Sequence, residues 1–246
     1  AGCSLLGIGL GVATLIIVMS VMNGFRAELI GRILGLNGHM SVYSKGAPMQ
    51  GFDELAVRIG EIPGVLTVTP QLEGQVMAMA NGIASGALVR GLRASALLSR
   101  QIVPDNITTG SLEEFSSSSG VIMGALARRL RVGVGDKITL ISPSTTVTVI
   151  GSVPRMRSFT VSALFNVGMY EYDNTFIYMP LKAAQLFFKS GDAVNAVEVM
   201  VDNPQRVDEL RLPLAKVIGG EKYAVDWKQQ NSSFFNALEV ERNVMF

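Results

Sequence analysis

The chain has little of what most enzymes and disulfide-bonded proteins use. It contains one cysteine and one histidine among 246 residues. A single cysteine excludes an internal disulfide and a metal site built from several cysteines. One histidine leaves no Ser-His-Asp or Cys-His arrangement, and we interpret His39 as a structural residue at a helix end or strand. The sequence also lacks G-x-x-x-x-G-K-[ST], the P-loop pattern. We therefore predict a non-catalytic chain with no cofactor and no metal of its own.

An excess of charge of one sign is missing as well. The chain carries 21 basic and 20 acidic residues. Such a balance produces no field that would attract nucleic acid or an acidic membrane surface. Nucleic acid is therefore not an expected partner.

Charge is absent altogether from residues 1–25. A helix of that length covers roughly 37 Å at about 1.5 Å per residue, enough for a hydrocarbon core of about 30 Å. The apolar run is interrupted by Gly, Ser and Thr, which membrane helices tolerate. We predict a transmembrane helix here and weigh it against a buried helix of a soluble protein. A lipoprotein signal ending at "AGC" would place the apolar run before Cys3, not after it. With neither an initiator Met nor a charged flank, the chain is expected to be a fragment of a larger protein.

The same helix is predicted to continue beyond the membrane. An arginine at the bilayer centre would cost about 2.5–3.5 kcal/mol, so the span should end near Arg26. Glu28 and Arg32 then form an i, i+4 pair opposite an apolar arc. Gly35 and Gly38 are candidate C-cap residues. The arc consists of Phe25, Leu29, Ile30, Ile33, Leu34 and Leu36.

The remaining chain is predicted to form an α+β domain with an inserted β-rich subdomain. Two strand–helix–strand units far apart in sequence indicate a split βαβ sandwich. Asn81-Gly82 is a strong hairpin signal. In the insertion, residues 108–120 are expected to be a polar loop. Residues 142–157, bounded by Pro143 and Pro154, are expected either to project as a hairpin or to pack back on the domain.

The predicted segments follow the chain in order. They are a transmembrane helix with a periplasmic extension at 1–36, the sandwich at 37–94 and 191–228, the insertion at 95–190, and the start of a second transmembrane helix at 229–246.

Particular stretches of the sequence resemble one family of membrane proteins. They are "SVMNGFR" at 20–26, "GDKITLI" at 135–141, "VPRMRSFTV" at 153–161 and "ALEVERNVMF" at 237–246. Together, and in this order, they resemble the permease subunits of the bacterial lipoprotein-releasing ABC transporter, the Lol system. A more distant likeness extends to macrolide-exporter permeases.

The resemblance implies a multi-pass protein of the bacterial inner membrane whose large domain lies in the periplasm. A separate cytoplasmic ATPase would use ATP, and a second permease subunit would complete a homo- or heterodimer. The complex would extract lipoprotein cargo from the membrane, where lipid is also a partner, and pass it to a soluble periplasmic chaperone. In this family the first two membrane helices extend beyond the bilayer and carry ATP-driven motion to the periplasmic domain.

Three groups of residues follow as candidate sites. Flexible Met19 and Met22, with Phe25, are expected to contact acyl chains, the alternative being ordinary helix packing. The chaperone-binding hairpin would present Val147, Val149, Ile150, Val153, Pro154, Arg155, Met156 and Arg157. The two helices would pack through Leu29, Ile33, Phe234, Phe235 and Leu238.

Two other functions stay open on the sequence alone. A related ABC permease could export small molecules or peptides. A membrane-anchored periplasmic sensor would instead need a compact ligand pocket in the domain.

Overall fold

The structure, a computed structural model, describes residues 2–116, 120–148 and 151–232. The helices are α1 (Gly2–Leu36), α2 (Phe52–Gly60), α3 (Ala94–Ser99), α4 (Leu126–Leu130), α5 (Tyr170–Thr175), α6 (Leu181–Phe188), α7 (Val207–Ile218) and α8 (Trp227–Gln230). The strands are β1 (Met40–Ser44), β2 (Val65–Ala80), β3 (Ile83–Leu92), β4 (Ile107–Gly110), β5 (Gly120–Met123), β6 (Lys137–Thr148), β7 (Gly151–Phe165), β8 (Phe176–Pro180), β9 (Ala196–Val201) and β10 (Lys222–Asp226).

One half of the domain is a sheet of four antiparallel strands in the order β10-β1-β9-β2. The unit β1-α2-β2 leaves a gap between its two strands, which β9 fills. The unit β9-α7-β10 leaves a gap between its two strands, which β1 fills. This interleaving is the ferredoxin-like, split βαβ arrangement. Helices α2 and α7 contact each other beside the sheet. Their buried residues, such as Ile59 and Leu214, belong to the same core as Val42 and Val197 of the strands.

The other half is a small closed barrel. Its strands pair in the order β2-β3-β8-β5-β7-β6, and β6 pairs with β2 to close the ring. Alternation along the strands places Ala78, Val89 and Ile138 among the fully buried residues. The α+β class expected from the sequence is confirmed.

Strand β2 belongs to both halves. Its first part, up to Gln71, pairs with β9 of the sheet, and its second part, from Leu72, pairs with β3 of the barrel. The structure has one continuous strand over Val65–Ala80. The polar residues around Gln71 interrupt the apolar pattern without interrupting the backbone.

Other local expectations have different outcomes. The hairpin across Asn81-Gly82 is confirmed, since both residues adopt positive φ angles of 50° and 74°. The expectation of a polar loop at 108–120 is wrong in its described part. Residues 107–110 form β4 on the barrel, and Phe115 is fully buried. Burial of Phe115, the one large aromatic in this polar stretch, anchors its part of the stretch to the domain.

Helix α1 is continuous over 35 residues. Across the described positions of the chain, no helix combines the length and the apolarity needed to cross a membrane.

Candidate functional site at the end of the first helix

The last turns of α1 are packed into the domain. Ile33 and Leu36 are buried, and Ile30 and Leu34 lie against the main core. The expected pair of Glu28 and Arg32 is present, with Arg32 Nε donating to the Glu28 carboxylate at 2.7 Å. Much of the predicted apolar arc thus has the domain as its partner.

Arg32 forms a second contact that ties the helix to the barrel. Its Nη1 donates to the carbonyl of Val167 at 2.9 Å, in the loop between β7 and α5. The adjacent Gly168 has φ +73°, and a Cβ there would lie 2.5 Å from that same Nη1. The backbone conformation therefore favours glycine at this position, and a side chain here would also displace the Arg32 guanidinium.

Two buried arginines close the carboxyl end of α1. Arg100, which follows α3, donates from Nη1 to the carbonyl of Leu36 at 2.9 Å, and Arg90 of β3 donates to the same oxygen at 3.3 Å. Cations are favourable where the helix dipole leaves carbonyls unpaired. The glycine cap expected from the sequence is therefore replaced by side chains. Gly38 instead allows close approach, since a Cβ there would lie 2.8 Å from Cβ of Glu198.

Carboxylates balance these two charges. Glu198 of β9 pairs with Arg100 and lies 3.7 Å from Arg90, and all three side chains are at most 6% exposed. Glu73, the cross-strand neighbour of Arg90, accepts from its Nε at 2.7 Å. The Arg90 guanidinium also lies 4.8 Å from the centre of the Phe176 ring. We call Glu73, Arg90, Arg100 and Glu198 the ionic cluster.

The surroundings affect the two guanidinium groups differently. Burial, and then the like charge of Arg90, lower the pKa of Arg100 to about 10. For Arg90, burial is the largest single influence and also acts downward, but Glu73, Tyr178 and Tyr172 together outweigh it and raise the pKa. Both groups remain charged near neutral pH, so the cluster is neutral overall and internally paired.

The residues just after α1 extend the same network. Asn37 accepts from Arg90 at 3.3 Å and donates to the hydroxyl of Tyr172. His39 is buried, and its Nδ1 accepts the backbone N–H of Val201 at 3.0 Å. Burial lowers the pKa of His39, which keeps the ring neutral as this acceptor role requires. His39 is therefore in the structural role expected for it.

Sequence reasoning did not single out the ionic cluster, although a signal for part of it is present. Glu198 is the one charged residue in the strand "AVEVMV", and Arg90 interrupts the apolar "GALV" run. A charge in an apolar strand is costly unless it is paired. The pairing itself joins residues 98 positions apart, as for Arg100 and Glu198, and no local pattern indicates it.

The expected hairpin is built by β6 and β7. Ile141 is the last residue of β6 that pairs with β2. Beyond it, β6 and β7 pair with each other, from Ser142 opposite Arg155 to Thr148 opposite Gly151. At about 3.3 Å per residue the two arms extend roughly 20 Å and roughly 13 Å. Hairpin residues Val147 and Val153 lie in the strands with their side chains outside the described set, and Val149 and Ile150 are themselves outside it.

The base of the hairpin carries the candidate residues whose side chains are described. Met156 is 61% exposed and Pro154 is exposed, whereas Arg155 donates to the carbonyl of Phe187 at 3.2 Å. Arg157 lies over the ring of Phe159 at 5.3 Å. The two arginines thus contact the domain itself.

Met156 is part of an apolar row across the barrel. It pairs with Ile141, which pairs with Met77, itself 48% exposed. Directly opposite residues on paired strands share a face. The row therefore continues the exposed side of the hairpin onto the barrel surface.

The remaining candidates lie along α1 and beyond it. Met19 and Met22 are half-buried, the side chains of Phe25 and Leu29 are outside the described set, and Ile33 is buried against the domain. Phe234, Phe235 and Leu238 lie outside the described residues. The acyl-chain contact and the packing of two helices stay predictions.

The surface of the domain carries grooves and side chains of the types that ligate metals. One groove of 620 Å³ is lined by the loop at 44–50 and by 220–222, and another of 390 Å³ lies between the first turns of α2 and α6. Both are lined largely by exposed loop and charged residues. Within the described ranges, no three His, Cys, Asp or Glu side chains gather as a metal site requires.

Comparison with known proteins places these features in context. The family model described as "MacB-like periplasmic core domain" matches residues 1–216. The "Lipoprotein-releasing system transmembrane protein LolC" of Neisseria meningitidis serogroup B is 31% identical over 248 residues, which are 99% of this chain and 59% of that protein. The LolE protein of Haemophilus influenzae is 25% identical over 252 residues, 99% of this chain and 60% of that protein. The chain thus spans about six tenths of the length of these relatives.

A solved structure shares the fold. The periplasmic region of MacB from Actinobacillus actinomycetemcomitans superposes with a TM-score of 0.51 at 12% identity, covering 83% of this chain and 95% of that one. At that identity the likeness concerns the fold alone.

Proposed function

The chain belongs to the family of MacB-like periplasmic core domains, and from that premise we propose that it is part of an ABC transporter permease that releases lipoproteins from the inner membrane. ATP would be hydrolysed by a separate cytoplasmic subunit, and a second permease subunit would complete the dimer. The domain at 37–228 would lie in the periplasm and pass the cargo to a soluble chaperone. The names of the relatives support lipoprotein as the cargo class.

The observation that carries this proposal is the continuous helix α1 that ends inside the domain. A rigid helix of 35 residues is about 52 Å long, more than the hydrocarbon core of about 30 Å. Its last turns are buried and capped by the domain. Motion at one end of such a helix reaches the domain without a flexible linker.

The composition and exposure of α1 support a membrane location for its first part. Leu10, Leu15 and Ile16 are each 59–67% exposed and lie on three different sides of the helix. A helix that is apolar all round is suited to lipid or to other membrane helices. We propose that 1–25 spans the membrane, that Met19, Met22 and Phe25 contact the acyl chains, and that 229–246 begins a second span packed on the first.

The hairpin is the proposed contact for the chaperone. Exposed Pro154 and Met156 and the apolar row through Met77 offer burial to a partner with an apolar surface. Arg155 and Arg157 already contact the domain, so we propose that they hold the arms of the hairpin in place.

Site-specific photocrosslinking in the full-length protein in cells tests the proposal. With the probe at Met156 we expect capture of a soluble periplasmic chaperone, and with the probe at Met22 capture of a lipoprotein. A probe at Leu212 on α7, which is 75% exposed in the other half of the domain, is the matched control and should capture neither. If Met156 captures nothing and Met22 captures membrane helices alone, lipoprotein release is refuted and a sensor or small-molecule exporter is favoured.

A further inference from the structure

We propose that the ionic cluster is the rigid joint through which α1 moves the periplasmic domain, with Arg100 and Glu198 as its principal positioning residues. This inference rests on the proposed function and names the residues that would transmit force within it. It predicts that helix and domain move as one body, not about a hinge at Asn37-Gly38.

Three separate parts of the fold meet at the last carbonyl of α1. Arg90 reaches Leu36 from β3 of the barrel, and Arg100 reaches it from the segment after α3. Glu198, which pairs with Arg100, lies on β9 of the ferredoxin-like sheet. A force on the helix end is therefore applied to both halves of the domain at once.

The geometry also opposes bending at the residues where a hinge would be expected. Asn and Gly are common in flexible connections, and here Asn37-Gly38 directly follows the helix. Asn37 is held by Arg90 and Tyr172, and the backbone of Gly38 lies against Glu198. Hydrogen bonds to charged groups are stronger than neutral ones, and burial protects them from screening by salt.

Removal of one guanidinium should loosen the joint while leaving the barrel and the sheet paired. We would substitute Arg100→Gln in the full-length permease, assembled with its ATPase in lipid vesicles. The matched control is Arg93→Gln, which removes an arginine whose ion pair with Asp53 is exposed. Two readouts are taken, amide hydrogen exchange at 33–40 and lipoprotein released to chaperone per ATP hydrolysed.

The expected result is a local change with loss of coupling. In the Arg100→Gln protein, exchange at 33–40 should increase about tenfold or more, as expected for losing a charge-assisted hydrogen bond. Because Glu198 loses a buried partner, the whole domain is also destabilised, so exchange in α2 should increase as well, but less than exchange at 33–40. ATP hydrolysis should continue while release per ATP is lost. The Arg93→Gln protein should match the wild type in all readouts.

A disulfide across the same junction provides a rescue that separates this role from a general effect on folding. A Cβ on Gly35 would lie 3.8 Å from Cβ of Ile102, the separation typical of disulfides. In a Cys3→Ser background, Gly35→Cys with Ile102→Cys should join the helix end to the domain. Added to Arg100→Gln, this pair should restore slow exchange and release when oxidised, and lose both on reduction.

The outcomes are distinct. Rescue by oxidation together with the local increase in exchange supports the joint. Unchanged exchange at 33–40 in the Arg100→Gln protein, or release that oxidation does not restore, overturns it. If the wild-type complex releases no lipoprotein, the proposed function fails, and the exchange experiment still decides whether the cluster holds the helix end.

Discussion

Substitution of Glu198 by glutamine should strongly destabilise the domain. The change removes the carboxylate that faces two arginines, all with side chains at most 6% exposed. Removing one partner of a buried ion pair costs about 3–5 kcal/mol, because the remaining charge is left desolvated. Arg90 keeps its ion pair with Glu73 at 2.7 Å, so Arg100 is the residue left without a carboxylate partner. We therefore expect the free energy of unfolding to fall by about 3 kcal/mol, the lower end of that range.

Urea unfolding of the chain in detergent micelles measures this cost. Trp227 is the single tryptophan and is buried, so its fluorescence reports the folded domain. With a slope of about 2–3 kcal/mol per molar urea, the midpoint should fall by roughly 1–1.5 M. Asp53→Asn, which breaks an exposed pair with Arg93, is the control and should cost about 0–1 kcal/mol.

A double substitution tests the cause of the effect. Glu198→Leu with Arg100→Met removes both charges and keeps apolar volume, so most of the lost free energy of unfolding should return. If Glu198→Gln costs less than about 1 kcal/mol, as little as an exposed pair does, the ionic cluster is solvated and the reasoning about its burial is refuted.

Two further predictions concern packing and pH. Gly74→Ala should lower the free energy of unfolding by about 1–3 kcal/mol, because the new Cβ would lie 2.4 Å from the Phe188 ring. Phe188→Leu in the same chain should relieve part of that loss in urea unfolding, and an unchanged midpoint for Gly74→Ala would contradict the contact. Since burial lowers the pKa of His39 below its ordinary 6.5, the unfolded chain binds the proton more readily. The free energy of unfolding should therefore decrease as the pH falls from about 6.5 to the pKa of His39 in the folded state. Above about pH 6.5 it should not change. The His39→Gln chain should lose this slope between about pH 7 and pH 5, and an identical slope in both proteins would rule out His39 as its source.

Local features of the fold were predictable because their physical causes are local. The turn at Asn81-Gly82 follows from residues that tolerate positive φ. Helix α2 at Phe52–Gly60 has the apolar spacing on one face that indicates a helix. The pair of Glu28 and Arg32 follows from one helical turn of separation.

The long-range pairings were not predictable, because a single sequence does not indicate which strands meet. Closure of the barrel depends on the three residue pairs between β6 and β2. Strand β8 pairs in parallel with β3, although the two strands are far apart in the sequence. The ionic cluster has the same origin. Glu198 and Arg90 each interrupt an apolar pattern in their own strand. Their side chains come together because β2 joins the sheet to the barrel.

The position of β9 in the middle of the ferredoxin-like sheet also sets an order for folding. Its partner β1 lies about 160 residues earlier in the chain, and contacts across such a separation form late because a long loop must close first. The barrel strands from β2 to β8 are nearer neighbours in sequence and can assemble beforehand. Since Glu198 lies on β9, we expect the cap on α1 to be completed after the barrel has formed. A domain in which β9 has not yet paired therefore lacks the Glu198 part of the cap on α1.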